Sequence, residues 1–554
     1  MFDGSDALGQ AVVVEQEAAA AMRGTFEQAW EQIASRILPN YVSQFQGQNR
    51  GIWTPGVQNT QEMVDATGAL ALTRFAAAME SMLTPRSSLW HSLLPSDGNL
   101  MKDRETRLWF EEVTKLLFRM RYAPNANFAS QKHEDYMMLG AFGTGNLFID
   151  ALQSSHERGL RYRAVHLGQT YFQENHQGII DRVFRRFSLT ARQAVQQFGE
   201  KLPEEIAKQA SDPKRSTTPH WFIHRVSPRE DYDPQRRDGK GMRYQSVYVS
   251  LTKKVTVREG GYHSFPYAVS RYVTTPGELY GRSPAMMALP AIKSLNEMKK
   301  TMLKQGHRTV DPVLLAHDDG ILDTFSMRPG AVNPGGVNAE GRPLVHALPT
   351  GNLAAGKDSM EEEKGTINEF FLVTLFQILV ETPQMTATEV IERAREKGAL
   401  LSPTMGRQQS ESLGPMIERE LDVLRELRLL PEMPPALIEA RGQYTVQYES
   451  PLSRMARAEE ASGFMRTLDY LKEVVQVTQN PEPLDYFNWD VAVPALMDIH
   501  GVPPSWRNSV AQVESLRQGR SEQADQQKML DAAPALSSAM KTVMPKPAEA
   551  PAAA

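Results

Sequence analysis

The residues between Ile367 and Leu379 carry the most regular apolar pattern in this sequence. They recur every three or four positions, so in a helix they share one face, formed by Ile367, Phe370, Phe371, Thr374, Leu375, Ile378 and Leu379. Pro383 follows and cannot continue a helix. The spacing therefore predicts a helix with one continuous apolar face.

A second long helix is predicted to begin at Pro284, because Ser283 suits an N-cap and proline suits the first helical position. One face of this helix is apolar and carries Leu295, Met298 and Met302. The opposite face carries Lys293, Lys300 and Lys304, spaced at i, i+7 and i+11. The two helices are separated by a segment rich in Gly, Pro and Asn, with short strand-like pieces at 312–316 and 344–348.

The part of the chain before these helices is mixed. Residues 5–38, 63–82, 102–121 and 132–142 have helical patterns. Residues 159–272 favour strands, with apolar side chains alternating at Val247, Val249, Leu251, Val255 and Val257. A short helix at 190–198 interrupts them, with Thr190 as its N-cap and Gly199 after its end. A short strand at 444–448 and further helices follow, so the predicted fold class is α+β.

The length, charge and amino-acid composition of the chain exclude several classes of protein. A chain of 554 residues is expected to form about two to four structural units. The net charge of −5 argues against a histone-like DNA binder, although local basic rings or loops could still contact DNA. The absence of cysteine excludes disulfides, thiolate zinc sites and thiol catalysis. No secretory signal is recognised, and no stretch reaches the roughly 18 apolar residues of a membrane helix, so no membrane association is expected.

Residues 351–358, GNLAAGKD, fit the first part of a phosphate-binding loop. The final position of that motif needs a Ser or Thr hydroxyl for magnesium, and here it is Asp358. The acidic run 361–363 would also repel a triphosphate. A flexible connection into a helix is favoured, and a P-loop-like NTPase using Lys357 stays as an alternative.

Other candidate sites are weaker. His317, Asp318 and Asp319 could ligate a metal, but a polar turn closed by Gly320 is favoured. His133, Glu134 and Asp135 are interpreted as a solvated helix face, since a second metal-binding histidine is absent. No G-x-S-x-G elbow and no paired-carboxylate signature is recognised. We therefore expect no enzymatic activity, no cofactor and no metal.

The lysine face of the second helix allows two interpretations. It could be a solvated face, with basic residues placed favourably toward a helix C-terminus. It could instead be a cationic stripe that faces a nucleic-acid backbone. The residues alone leave both open.

Two strings then suggest a family. They are FPYAVSRYVTTPGELYGRSPAMMALPAIKSLNEMKK, at 265–300, and TPQMTATEVIERAREKGALLSPTMGRQQSESLGPMIEREL, at 382–421. Weaker similarity lies at 181–199 and in the GTGN turn at 143–146. With the order of the elements, these strings resemble portal proteins, the head-to-tail connectors of short-tailed bacteriophages, over residues 26–520.

The resemblance implies a division of the chain. Residues 1–283 would form the wing, 284–308 and 359–381 the two stem helices, and 309–358 a small α/β clip between them. Residues 382–435 would include a channel loop and a wing helix. Residues 436–520 would form a helical crown, followed by a flexible tail at 521–554.

The resemblance also implies a function. Portal subunits form a ring, usually of twelve copies, at one capsid vertex of the virion, after assembly in the cytoplasm of the host bacterium. Double-stranded DNA passes through the channel during packaging and ejection. The ring docks the terminase motor and tail adaptor proteins, and it contacts capsid and scaffolding proteins. Another capsid or scaffold component is the remaining alternative.

The resemblance to portal proteins also implies which residues contact other subunits and DNA. The interface between subunits is expected at Ile367, Phe370, Phe371, Leu375, Ile378 and Leu379. The first candidates for contact with DNA are Lys293, Lys300 and Lys304. The second set lies in and beside the proposed channel loop and comprises Arg393, Arg395, Lys397 and Arg407.

Overall fold

The computed structural model describes residues 6–45, 60–101, 103–152, 157–316, 326–349, 353–373, 403–440, 442–449, 451–479, 482–499, 506, 508 and 512–523. The chain divides into two compact units, within the range expected from its length. The first comprises Met1–His91, Lys115–Pro431 and Tyr448–Ser453, and the second Ser92–Thr114, Glu432–Gln447 and Arg454–Ala554.

Long helices dominate both ends of the described chain. The principal ones are α1 (Ala7–Ile37), α2 (Thr67–Leu83), α3 (Arg104–Arg121), α4 (Phe128–Phe142), α5 (Ala191–Phe198), α6 (Glu204–Ser211), α7 (Pro284–Val310), α8 (Leu353–Phe370), α9 (Gly414–Glu426), α10 (Pro435–Glu439), α11 (Pro451–Thr478) and α12 (Trp489–Ile499). The N-terminal helix begins after Asp6, whose carboxylate accepts a hydrogen bond from the Gly9 N–H at 3.1 Å.

The strands form antiparallel sheets. They are β1 (His91–Pro95), β2 (Thr144–Ala151), β3 (Leu160–Ala164), β4 (Thr170–Glu174), β5 (Ile180–Thr190), β6 (Pro219–Pro228), β7 (Tyr244–Ser250), β8 (Val255–Tyr262), β9 (Tyr267–Arg271), β10 (Leu314–Ala316), β11 (Val345–Ala347) and β12 (Tyr444–Tyr448). The sheet orders are β4-β5-β6-β7-β8, β3-β2-β9, β10-β11 and β1-β12. This mixture of helices and antiparallel sheets agrees with the predicted α+β class.

The five-stranded sheet is covered on both faces. Along α1, Val12, Val13 and Ala19 pack against one face, which includes the buried Val247 and Val249. Helices α5 and α6 cover the other face, formed by Phe187, Phe222 and Val257. Alternation within β7 has its expected cause, since successive side chains point to opposite faces. The predicted run does not continue on one face, because Val257 on β8 packs on the face opposite to Val247 and Val249.

The ends of α5 confirm the predicted caps. The Thr190 hydroxyl accepts from the Gln193 N–H at 3.3 Å, and the Gln193 side chain accepts from the Thr190 N–H at 3.0 Å. This reciprocal arrangement is a capping box. Gly199 ends the helix with φ +62°, a backbone conformation that glycine adopts without a Cβ clash.

The YGRSP segment connects the sheet region to α7. Tyr280 is buried against the rings of Trp30 and Phe26, with centroids 5.2 and 5.5 Å away. Ser283 accepts from the Met286 N–H at 2.9 Å, so the predicted N-cap is confirmed. The same hydroxyl donates to the Ala141 carbonyl at 2.8 Å, which fixes the start of α7 on the end of α4.

One prediction for α4 is wrong. The segment 133–135 is not a solvated face, because Asp135 is buried and its carboxylate lies 2.7 Å from Nζ of the equally buried Lys132. Glu134 accepts from the Tyr41 hydroxyl at 2.9 Å, and His133 Nδ1 lies 3.0 Å from the Glu80 carboxylate. These polar groups are paired within the fold, which a helical pattern alone does not reveal.

Candidate functional site

Helices α7 and α8 bracket a short hairpin. Strands β10 and β11 pair with Leu315 opposite His346, close to the predicted strand-like pieces. The two helices pack tightly, because a Cβ on Gly356 would lie only 2.6 Å from Sδ of Met302. Helix α8 begins at Leu353 rather than at the predicted 359, and it ends at Phe370 rather than at 381. The prediction of one uninterrupted helix with a continuous apolar face is wrong here, because a turn with Leu372 at φ +58° follows Phe370.

The position of residues 356–358 within α8 argues against the alternative function as an NTPase. Gly356, Lys357 and Asp358 lie inside α8, where backbone N–H groups bond to carbonyls one turn earlier. A phosphate-binding loop needs those N–H groups free to surround the anion. Gly356 faces Met302, and Lys357 and Asp358 are exposed. The structure gives this alternative no support.

The three predicted lysines of α7 have different surroundings. Lys293 donates to the Gln32 side chain at 2.6 Å. Lys300 donates to Glu297 at 2.8 Å, and this hydrogen bond raises the pKa of the lysine. Lys304 is exposed and forms no ion pair with a described residue. Lys300 is therefore the stem lysine whose charge is paired with a carboxylate, and neither Lys293 nor Lys304 has an ion-pair partner among the described residues.

Lys304 also borders a cleft beside the hairpin. The cleft has a volume of about 260 Å³. Its walls come from the C-terminal part of α7, including Arg308, and from Val313, Leu348 and Pro349. Two cations thus lie at the end of α7, where the helix dipole also favours positive charge.

The second set of predicted cations is described only at Arg407. Its Nη1 donates to the Tyr272 carbonyl at 3.3 Å, so the guanidinium is held by the same chain. The remaining members, Arg393, Arg395 and Lys397, lie outside the described residues, and the proposed metal ligands His317, Asp318 and Asp319 do as well.

The predicted apolar face of α8 is described at three positions. Ile367 and Phe371 are buried by the chain itself, and the Phe371 ring lies 6.4 Å from that of Phe75 in an edge-on arrangement. Phe370 is 37% exposed and is the member with free apolar surface among those described. Leu375, Ile378 and Leu379 lie outside the described residues.

A docking segment that the sequence patterns missed follows at 408–420. It begins with a π-helix, Gln408–Leu413, and continues into α9. Glu411 binds the Arg271 guanidinium at 2.8 Å, and the Ser412 hydroxyl accepts from Lys132 Nζ at 2.8 Å. Glu420 is fully buried against Arg121. Ionic and polar contacts therefore fix this segment to α3, α4 and β9.

Arg419 extends the same contact. Its Nε donates to the Ile149 carbonyl at 3.3 Å, and its Nη2 lies 3.5 Å from the Asp150 carboxylate. Burial raises the pKa of Asp150, which the nearby Arg419 opposes. No sequence signal marked the contact of Arg419 with Ile149, because the two residues are 270 positions apart.

The described residues form neither a metal site nor a membrane-spanning helix. Across the described ranges, no group of three or more His, Cys, Asp or Glu side chains is arranged to hold a metal ion. Within the same ranges, no helix combines the length and the apolar character needed to cross a bilayer.

Comparison with known proteins identifies the family. Residues 12–507 match the family described as bacteriophage head to tail connecting protein. The chain is 28% identical over 517 residues to a probable portal protein of Bordetella phage BPP-1, covering 89% of this chain and 88% of that protein. It is 27% identical over 479 residues to the portal protein of Salmonella phage epsilon15, covering 84% and 83%. These matches confirm the resemblance carried by the two strings, and the chain belongs to the bacteriophage head to tail connecting protein family.

Proposed function

We propose that the chain is a portal subunit that forms a ring at one capsid vertex of the virion. The family match over residues 12–507 carries this proposal, because it spans nearly every element described above. The ring would be the conduit through which double-stranded DNA is packaged and ejected. The subunit would be structural, and the energy for DNA movement would come from a separate terminase ATPase.

The division of the chain is part of the proposal. Residues 1–283 would be the wing, α7 and α8 the stem, and the intervening residues the clip that meets the terminase motor and tail adaptors. The antiparallel hairpin β10-β11 between the two tightly packed helices supports a stem and clip. Residues 382–435 would hold the channel loop and α9, with the crown at 436–520 and the tail at 521–554.

A ring of twelve identical subunits needs a heterologous interface that closes by rotation. The exposed ring of Phe370 supports an interface at the end of α8, which would continue through Leu375, Ile378 and Leu379. Ile367 and Phe371 would support this surface from beneath, since the chain itself buries them.

Passage of DNA requires weak, sequence-independent contacts. A net charge of −5 per subunit makes the ring acidic as a whole, so DNA would slide rather than adhere. Local cations would guide it, with Lys293 and Lys304 ahead of Lys300 among the stem lysines because neither has a described ion-pair partner. Capsid and scaffolding proteins would meet the ring during assembly in the host cytoplasm.

The mass of the purified assembly tests the proposal. We expect a ring near twelve times 62.1 kDa, with an open axial channel in averaged electron micrographs and no ATP hydrolysis. A lone subunit that hydrolyses ATP, or a closed assembly without a channel, would contradict the proposal.

A further inference from the structure

One row of side chains crosses the five-stranded sheet. The strand register places Arg185 opposite His224, His224 opposite Tyr248, and Tyr248 opposite Arg258. Neighbours in such a row lie on one face of the sheet. The His224 and Tyr248 rings stack with centroids 4.0 Å apart, so an aromatic pair separates the two arginines.

A second sheet faces this row. In that sheet Arg163 pairs with Phe148, and Phe148 pairs with Tyr267. The Tyr267 hydroxyl lies 2.9 Å from Nδ1 of His224, which joins the two sheets at this level. Arg163 therefore enters the same space as Arg185 and Arg258, although the three residues come from three different strands.

The three arginines are not neutralised by carboxylates. None of them forms an ion pair with a residue in the described part of the chain. Arg185 is 7% exposed, and its buried Nε has no described hydrogen-bond partner. Asp150 also lines the cavity, and burial raises its pKa while Arg258 lowers it, but its ion pair is with Arg419, at 3.5 Å, so one carboxylate faces three arginines. The site therefore has an excess of positive charge.

The pKa values of two groups at the site are consistent with its excess of positive charge. Repulsion from Arg185, and then partial desolvation of the guanidinium where it enters the cavity, lower the pKa of Arg163 to about 10. Burial, Arg185 and Arg258 lower the pKa of His224 well below its usual value. The histidine is consequently neutral at physiological pH, and its ring does not add to the charge that a ligand would have to balance.

The arginines line a cavity of about 770 Å³. This volume is within the range of small-molecule sites, roughly 300–1,000 Å³. Phe187 and Tyr248 form flat walls, and Gln193 and Gln196 of α5 place amide groups around it. The Arg185 guanidinium lies 5.0 Å from the centre of the Phe187 ring, so an aromatic surface supports the buried cation.

We propose that this cavity binds a small phosphate-bearing ligand, with its phosphate groups between Arg163, Arg185 and Arg258. Arginine suits this chemistry because its planar guanidinium donates two parallel hydrogen bonds to phosphate. A phosphate ester carries close to two negative charges at neutral pH, whereas a carboxylate carries one, so phosphate better balances three cations. The ligand binds here without undergoing reaction.

Calorimetric titration of the full-length protein with inorganic triphosphate and with ATP tests the proposal. We expect both to bind, and Arg163→Gln or Arg258→Gln to weaken each at least tenfold. Both side chains are exposed, so these variants should fold even if Arg185→Gln does not. Arg163→Gln should also leave the melting temperature without ligand unchanged or higher, because it removes repulsion with Arg185.

Arg186→Gln is the matched control. Arg186 follows Arg185 on β5 but lies 5.1 Å from the Trp221 ring and does not line the cavity, so binding should change less than twofold. A short DNA duplex is the third probe. The proposal is overturned if neither phosphate compound binds, if Arg186→Gln weakens binding as much as Arg163→Gln, or if only the duplex depends on Arg163.

Discussion

Arg121 and Glu420 form a fully buried ion pair that joins α3 to α9. Arg121 Nε lies 3.0 Å from Oε1 of Glu420, and Nη2 lies 2.5 Å from Oε2. The Tyr162 hydroxyl donates to the same carboxylate at 2.5 Å. Burial lowers the pKa of Arg121, but the Glu420 carboxylate outweighs it and holds the pKa above its usual value. The guanidinium therefore stays charged inside the fold.

Glu420→Gln should destabilise the protein strongly. The substitution leaves the Arg121 charge buried without a counter-ion, which typically costs about 3–5 kcal/mol in the free energy of unfolding. Urea denaturation of the purified protein measures the loss.

Two further variants provide comparisons for the stability loss expected from Glu420→Gln. Arg121→Met combined with Glu420→Leu removes both charges and should recover part of the stability, because no charge is then left unpaired, although the buried Tyr162 hydroxyl loses its acceptor. Arg425→Gln is the exposed control on the same helix, paired with Asp422, and should cost less than about 1 kcal/mol. Equal losses for Glu420→Gln and Arg425→Gln would contradict the assignment.

The partners in this ion pair could not be identified from the sequence alone. Ile417 and Leu424 of α9 are buried and lie at helical spacing, which is a local property that a sequence displays. Glu420 lies three residues after Ile417 on the same buried face, but its partner is 299 positions away. The grouping of Arg163, Arg185 and Arg258 is also not visible in the sequence, because strand register and the packing of two sheets bring them together.

Gly143→Ala should destabilise the fold at the end of α4. A Cβ there would lie 2.2 Å from the Gly281 carbonyl oxygen, and Gly143 has φ +79°, where other residues are strained. Gly24→Ala is the control, because Gly24 lies within α1 with no atom near the added Cβ. In thermal unfolding, we expect Gly143→Ala to lower the melting temperature and Gly24→Ala to leave it unchanged or raise it. The reverse order would refute this packing.

Substitutions at Phe370 and Phe371 should have different effects, the first on ring assembly and the second on the stability of the subunit. Phe370→Ser removes exposed apolar surface, so it should reduce ring formation in size-exclusion chromatography while leaving unfolding of the subunit nearly unchanged. Phe371→Ala empties a buried position against Phe75 and should cost about 3–5 kcal/mol of stability. Rings that form normally with Phe370→Ser would exclude this residue from the interface.

His166 should contribute to loss of stability in acid. Burial, and then Arg23, lower its pKa from 6.5 to about 3. Between these pH values the unfolded chain binds a proton that the folded chain does not. Stability therefore falls as the pH falls through this window, by up to about 1.4 kcal/mol per pH unit for this group. His166→Gln should give a shallower slope in urea denaturation between pH 6.5 and 4, and an unchanged slope would show that His166 does not titrate in this way.

Substitution of the stem lysines should change the interaction with DNA and leave ring assembly unchanged. Lys293→Gln, Lys300→Gln and Lys304→Gln combined should leave rings intact but alter DNA packaging or retention, and should flatten the salt dependence of DNA binding, because fewer phosphate contacts release fewer counterions. Lys304→Gln alone should have a larger effect than Lys300→Gln, since Glu297 already neutralises Lys300. Lys208→Gln on α6 is the control for an exposed lysine elsewhere, paired with Glu204. If the triple variant packages and retains DNA as the Lys208 variant does, the lysine face of α7 is a solvated face and the DNA contacts lie on other residues.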